Sequence, residues 1–174
     1  MSSVTYKNQP AIDKTKGKVP LAGTSHLYTV KKRLWNDAIE DVLKTLFIGQ
    51  TLHLCCGDSQ LGDVRVDIDP TKNPDLILDV ENMKERIADK SFDTVLCDPP
   101  YNGRMQWNHN LLVEMSRIAK QRIIFQHWFI PATSHGLYKK AQEHFALVDL
   151  YVWQPKTYFG RVQVISVFDS ILSK

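Results

Sequence analysis

Short apolar segments that alternate with helical or loop segments are the feature that most constrains the fold of this chain. Helical patterns fall between them at about 81–88, 109–119 and 135–145. Strands that alternate with helices favour an α/β fold with a largely parallel sheet. The last two segments flank a turn containing Pro155 and Gly160, which predicts an antiparallel hairpin at one edge. We therefore expect a mostly parallel seven-stranded sheet, with strands at Leu52–Cys56, Val64–Ile68, Leu76–Leu78, Thr94–Cys97, Ile123–Phe125, Leu147–Val152 and Val162–Phe168.

The first thirty residues differ in character from the rest. They are polar and interrupted by proline and glycine, which is typical of an irregular arm. Residues 1–33 hold seven basic side chains against the single acid Asp13. Lys31 and Lys32 are candidate contacts to phosphates, although a solvated tail explains the charges equally well. A length of 174 residues suits one domain. We expect a basic flexible arm over 1–29 and one domain over 30–174, which opens with an amphipathic helix at 30–47.

Composition excludes several classes of protein. No apolar run approaches the roughly 20 residues of a membrane span, and the first residues lack the apolar core of a secretion signal. We therefore expect a cytoplasmic protein without membrane contact. The three cysteines, Cys55, Cys56 and Cys97, form no CxxC pair, which indicates reduced core residues. The six histidines are scattered without metal-ligand spacing, so no metal site is expected.

Two segments suggest a nucleoside-binding edge. The apolar run Leu52–Cys56 leads directly into Gly57, which lets the backbone turn sharply and approach a ligand. The next apolar run ends at Asp67, where a carboxylate can accept hydrogen bonds from both hydroxyls of a ribose. Asp69 is the second choice for this role, and either acid instead caps the following turn in the alternative interpretation.

Acids also follow the next two strands. Asp79 precedes Val80, and this pair suits an adenine ring, although Asp79 is equally suited to cap the helix near residue 81. Asp98, Pro99, Pro100 and Tyr101 end the fourth strand abruptly. Proline carbonyls and the Asp98 carboxylate are acceptors, and the tyrosine ring is a stacking face. These groups are complementary to a planar base that carries an exocyclic amine.

Together these segments resemble the class I S-adenosylmethionine-dependent methyltransferases over about residues 50–169. Asp98–Tyr101 resembles the (D/N/S)PP(Y/F/W) motif of amino-methyltransferases, especially the adenine-N6 DNA methyltransferases. The resemblance implies a single Rossmann-like domain and catalytic roles for Asp98, Pro99, Pro100 and Tyr101. It also implies an S-adenosylmethionine site formed by Cys55, Cys56, Gly57, Asp58, Asp67, Ile68, Asp69, Asp79 and Val80.

The implied reaction is methyl transfer to N6 of adenine in nucleic acid, with DNA favoured and RNA possible. Guanine N2 or cytosine N4 of nucleic acid, a protein glutamine or a small molecule are alternative substrates, and a non-catalytic nucleic-acid-binding subunit is a further alternative. In the loop after the motif, Arg104 and Trp107 are candidate contacts to phosphate and base.

The sequence departs from the family pattern in its first crossover. Only ten positions separate Gly57 from Asp67, about half the usual number, and a parallel crossover normally needs a dozen residues or more. We expect the first helix to be reduced to a loop. One sheet face then depends on the helix at 30–47 or on a partner subunit, so a homodimer is possible.

Overall fold

A nine-stranded mixed sheet organises the part of the chain that the computed structural model describes, which comprises residues 18–20, 25–30, 37–100, 109–127, 141–155 and 163–172. The strand order is β1-β2-β8-β9-β7-β6-β3-β4-β5. The strands are β1 Lys18–Pro20, β2 Ser25–Val30, β3 Thr51–Leu54, β4 Val64–Asp67, β5 Leu76–Ile77, β6 Phe92–Cys97, β7 Ala119–His127, β8 Phe145–Pro155 and β9 Gln163–Ser170.

Strands β3 to β9 confirm the predicted seven-stranded sheet. Neighbouring strands within the group β3 to β7 all run parallel to each other. Strand β9 runs antiparallel to both β7 and β8, which confirms the C-terminal hairpin. The expected position of the hairpin at the sheet edge was wrong, because β2 and β1 lie beyond β8. Numbered from β3 as the first, these strands have the order 3-2-1-4-5-7-6, which is that of the class I methyltransferase fold.

Two further strands lie in the segment for which an irregular arm was expected. Strand β2 pairs in parallel with β8, from Ser25 opposite Leu150 to Val30 opposite Pro155, and β1 pairs antiparallel with β2. Residues 18–20 and 25–30 are therefore extended and belong to the sheet. The expected boundary at residue 29 falls inside β2, and the division into arm and domain stays a prediction.

Helix α1 (Asp37–Leu46) covers one face of the sheet. Its buried side chains recur at Ile39, Leu43 and Leu46, the spacing of one helix face, while Asp41 and Lys44 point to solvent. They pack with Leu61 and with core residues of β6, β7, β8 and β9. Of the helix expected at 30–47, residues 37–46 are helical, residue 30 belongs to β2, and residues 31–36 lie outside the described residues. The homodimer stays a prediction.

Helix α2 (His109–Ile118) covers the opposite face. Its buried side chains pack on β3, β6 and β7 in the larger of the two hydrophobic clusters. The helix expected at 81–88 is instead a kinked 3-10 segment, Val80–Glu85, because Asn82 departs from helical geometry. Its buried Val80 and Met83 join the same cluster. Most of the helix expected at 135–145 lies outside the described residues.

The first crossover confirms the predicted shortening. Residues 55–63, all of which the structure describes, join the parallel strands β3 and β4 without a helix. Leu61 is buried from this loop and takes part of the place that a crossover helix would fill. The loop is closed where the Asp63 amide donates to the Thr51 carbonyl at 2.9 Å and the Thr51 amide donates to the Asp63 carboxylate at 2.7 Å.

Replacement of Lys90 by methionine should lower the free energy of unfolding by about 1–2 kcal/mol. The Lys90 ammonium donates to the carbonyls of Ser116 and Ala119, at 3.0 and 2.8 Å, and so caps the carboxyl end of α2. Methionine loses both hydrogen bonds and the cation–π contact of the ammonium, which lies 5.1 Å from the centroid of the Phe145 ring. Urea denaturation of Lys90→Met measures the loss, with Lys84→Met at an exposed site as the control. Equal stability of the two variants would contradict the capping role.

Candidate active site

A cleft of about 590 Å3 opens at the carboxyl ends of β3, β4, β5 and β6. The strand order reverses here, since β4 and β5 continue to one side of β3 whereas β6 and β7 continue to the other. Open α/β sheets bind ligands at such a reversal. The cleft is lined by Cys55, Gly57, Asp67, Ile68, Leu78, Asp79, Val80, Glu81, Asp98 and Pro100.

Asp67 joins two walls of this cleft. One carboxylate oxygen accepts a hydrogen bond of 2.8 Å from the Gly57 amide, and the other accepts one of 2.9 Å from the Asp69 amide. The side chain thereby fastens the loop after β3 to the end of β4. Each oxygen keeps a second lone pair, so Asp67 retains the capacity to accept from a ligand.

Gly57 leaves room where the loop passes the cleft. Its φ of +52° lies in the left-handed region that favours glycine. A Cβ added at this position would meet nothing within 4 Å, so the space in front of the backbone is open. Both properties agree with the predicted close approach of a ligand to the backbone.

His53 supports the same loop from below. The side chain is fully buried, and its Nδ1 lies 3.0 Å from the Leu61 carbonyl, to which it donates in the neutral tautomer. Gly62 passes so close that an added Cβ would lie 3.0 Å from the His53 Cβ. Burial lowers the pKa of His53 from 6.5 to about 4. The imidazole is therefore neutral near pH 7 and acts as a fixed anchor for the loop.

Asp79 at the end of β5 performs the capping role that the sequence allowed. Its side chain accepts a 3.0 Å hydrogen bond from the Glu81 amide and so begins the 3-10 segment. Asp79, Val80 and Glu81 all line the cleft. Capping and ligand binding are compatible here, because the capping bond uses only one lone pair of one oxygen.

The residues after β6 form one wall of the cleft. In the sheet order, β6 lies on the other side of β3 from β5, which is followed by Asp79 and Val80. Asp98 is partly buried, Pro99 is buried and Pro100 is exposed. Asp98 and Pro100 line the cleft, whereas Pro99 is not among the lining residues. Tyr101, the last residue of the predicted catalytic motif, lies outside the described residues, as do the predicted substrate contacts Arg104, Trp107, Lys31 and Lys32.

Three predicted cofactor residues lie beside the cleft without lining it. The buried Cys56 contacts the Gly57 carbonyl through its sulfur at 3.6 Å. Asp58 is bound by the Lys72 ammonium, 3.0 Å from each carboxylate oxygen. Asp69 caps the 3-10 turn Pro70–Lys72, and hydrogen bonds from Thr71 hold its pKa below the usual value. Both aspartates are therefore engaged in local structure.

Leu78 and Glu81 line the cleft although the sequence analysis did not select them. Their positions carried a signal, since they flank the selected pair Asp79 and Val80. Ile68 was selected, and its side chain is 64% exposed within the lining. A large apolar side chain that faces an open cleft offers a flat ring a contact surface.

The charge of the cleft is one-sided. Asp67, Asp79, Glu81 and Asp98 supply four carboxyl groups, and none of the ten lining residues in the described part of the chain is lysine or arginine. A cationic ligand with hydroxyl or amine donors therefore matches this surface better than an anion does.

Two further features concern metal ions and membranes. Among the described residues, no group of three or more His, Cys, Asp and Glu side chains is arranged to hold a metal ion. No helix in that same part of the chain is long and apolar enough to cross a membrane.

Comparison with solved structures places this fold among the class I methyltransferases. TrmN from Thermus thermophilus matches 76% of this chain with a TM-score of 0.55 and 13% identity, and the chain spans only 48% of that protein. The magnesium protoporphyrin IX methyltransferase ChlM from Synechocystis PCC 6803, solved with bound SAM, matches 76% of this chain and 74% of its own, with a TM-score of 0.53 and 14% identity. The N-methyltransferase NodS from Bradyrhizobium japonicum WM9 matches 76% of this chain and 91% of its own, with a TM-score of 0.53 and 11% identity.

No protein-family model and no curated protein matches the chain. The likeness therefore defines the fold, that of the S-adenosylmethionine-dependent methyltransferases of class I.

The burial of His53 predicts a pH dependence of stability. In the unfolded chain the imidazole takes up a proton below pH 6.5, but in the folded protein only near pH 4. Stability is therefore fully present above pH 6.5 and falls as the pH falls toward 4, by about 3 kcal/mol from this residue alone. Urea denaturation at pH 7 and 4.5 should show a smaller loss in His53→Gln, which cannot titrate. An equal loss in both proteins would contradict the assignment.

Proposed function

We propose that this chain is an S-adenosylmethionine-dependent methyltransferase that acts on an exocyclic amine of a planar base, with N6 of adenine in nucleic acid as the favoured substrate. The observation that carries the proposal is the cleft itself. Glycine and acids selected from four separate strand ends of the sequence lie together there, at the point where the strand order reverses. The fold of methyltransferases supports the same reaction class.

The lining residues fit the cofactor. A volume of about 590 Å3 lies within the range of about 300–1,000 Å3 that small-molecule sites occupy. The open space in front of Gly57 admits a ligand close to the backbone. Asp67 and Asp79 present carboxylates to ribose hydroxyls or an amino group, and Ile68 presents an apolar surface to the adenine ring. When bound, the cofactor would supply an electrophilic methyl group on a positively charged sulfur.

In this proposal Asp98 receives the substrate amine. It follows β6, directly beside β3 and its Gly57 loop. A carboxylate there accepts a hydrogen bond from an amine N–H, which orients the nitrogen and draws its lone pair away from the ring. Pro99 and Pro100 restrict the backbone that carries this carboxylate. Positioning of the amine beside the methyl donor then supplies most of the acceleration.

Asp98→Ala should lower the rate of methyl transfer by a factor of about 30–1,000, which corresponds to about 2–4 kcal/mol. Alanine removes both acceptor oxygens of the side chain, so the substrate amine loses its hydrogen-bond partner. Cofactor affinity, measured by calorimetry, should change by less than about threefold. Asp58→Ala is the matched control, because the Asp58 carboxylate is bound by Lys72 outside the cleft lining. Wild-type turnover in Asp98→Ala would refute the assigned role.

Transfer from labelled S-adenosylmethionine to DNA and RNA, in single- and double-stranded form, tests the substrate. Nucleoside mass spectrometry of the product should show N6-methyladenine. Label on another base would identify that base as the substrate and leave the proposed reaction class unchanged. Binding of nucleic acid without any transfer, together with absent cofactor binding, would favour the non-catalytic subunit instead.

The topology of β2 supports a nucleic-acid substrate. Strand β2 is parallel to β8, and β8 and β7 are both antiparallel to β9, so β2 ends at the same sheet edge as β3 and β6. Lys31, Lys32 and Arg33 come next in the chain after β2. Four strand spacings, or about 19 Å, separate β2 from β6 in the sheet. About six successive phosphates of one nucleic-acid strand span this distance along the helix axis.

Replacement of Lys31 and Lys32 by alanine should weaken nucleic-acid binding and flatten its salt dependence. Each lost phosphate contact should reduce the slope of log affinity against log salt by about 0.7–0.9. Fluorescence anisotropy over a range of salt concentrations gives this slope. Lys44→Ala is the control, because α1 leads to the amino end of β3 and thus to the opposite edge. Equal slopes for the double variant and this control would show that Lys31 and Lys32 do not contact phosphates.

A further inference from the structure

Two thiols meet at the wall of the cleft. Cys55 lines the cleft directly after β3, and Cys97 is the last residue of β6. The side chain of Cys55 packs against the hydrophobic cluster that contains Cys97, and neither residue is in a disulfide. Cys56 and Cys97 are buried in the core as expected, whereas Cys55 is half-buried and lines the cleft.

The backbone explains why these side chains meet. Cys97 pairs with Leu54 in the parallel ladder, so Cys55 lies one residue beyond the direct partner. In a regular strand its side chain would point to the opposite face. Its φ of +55° breaks that alternation, and Cys55 packs against the same hydrophobic cluster as Cys97.

The distance suits a covalent link. Ideal spacings of about 4.8 Å between neighbouring strands and about 3.3 Å between successive residues would put the two Cα atoms about 5.8 Å apart. Disulfides span Cα separations of roughly 4.4–6.8 Å. A left-handed conformation costs a non-glycine residue about 1–2 kcal/mol, and here it brings two sulfurs together.

Access to the two sulfurs is unequal. Cys55 is half-buried and faces the cleft, whereas Cys97 is fully buried. Burial also raises the pKa of the Cys97 thiol well above its usual value. Because the thiolate is the reactive form, an oxidant that enters the cleft reaches Cys55 first.

We propose that Cys55 and Cys97 form an oxidation site, at which a peroxide converts the two thiols into one disulfide between β3 and β6. The Cys55 sulfur attacks the O–O bond, becomes a sulfenic acid and releases the first water. The Cys97 sulfur then attacks that sulfenic sulfur, which forms the S–S bond and releases the second water. The two sulfurs together lose two electrons, and one hydrogen peroxide is reduced to two waters.

The link would alter the cleft. Bond formation fixes the Cys55 side chain, which lines the cleft, against the end of β6. Gly57 follows two residues later and forms the open part of the wall. This consequence rests on the proposed function, and we expect the oxidised protein to bind S-adenosylmethionine at least tenfold more weakly than the reduced protein.

Peptide mapping of the native full chain after hydrogen peroxide treatment and thiol blocking tests the site. We expect a Cys55–Cys97 linked peptide with the loss of two hydrogens, reversed by dithiothreitol. Cys56→Ser should retain the link, whereas Cys97→Ser should lose it and leave a sulfenic acid at Cys55 that dimedone traps. A Cys55–Cys56 link, or sulfinic acid at Cys55 in the wild type without any link, would overturn the proposal.

Calorimetry with S-adenosylmethionine on the reduced, oxidised and re-reduced protein tests the consequence. Equal affinity in all three would show that the disulfide leaves the cleft intact. Cys97→Ser treated in the same way should keep its affinity. Absence of binding in all three would refute the proposed function, while the peptide map still decides whether the thiol pair exists.

Discussion

The carboxylate of Asp67 holds together the edge on which the cleft is built. It accepts from the amides of Gly57 and Asp69, so one side chain connects the loop after β3 with the turn after β4. Hydrogen bonds to charged groups contribute about 1.5–3 kcal/mol each. That stabilisation matters here because the loop between the two strands has no helix to fix it.

The missing helix is compensated at three other points. His53 anchors Leu61 from the strand beneath, Asp63 closes the loop onto Thr51, and Leu61 extends the cluster that α1 forms on this face. The first two contacts are local, between the loop and the strand it leaves, whereas Leu61 packs against α1 and the sheet. A nine-residue connection can therefore present Gly57 to the cleft in one defined conformation.

The sequence predicted the strands better than the contacts between them. Apolar runs identify β3 to β9 because burial on both faces leaves little room for polar residues. The sequence analysis did not predict β2, because its partner β8 is more than 100 residues away in the chain and β2 is a short segment within a polar stretch. The side-chain direction of Cys55 was also inaccessible, because it depends on the sign of one backbone angle. Asp58 and Asp69 were selected by their position after strands, and Lys72 and Thr71 engage them instead.

The one-sided charge of the cleft also dictates how a substrate approaches. Four carboxyl groups repel the phosphates of a nucleic acid, so its backbone would be kept away from the opening while an uncharged base entered alone. Such a field favours binding of a nucleotide whose base is turned out of the stack. It disfavours a stacked nucleotide, because the phosphates of a stacked nucleotide would come closer to the carboxyl groups. The cleft would then select the conformation of the polymer as well as the chemistry of the base.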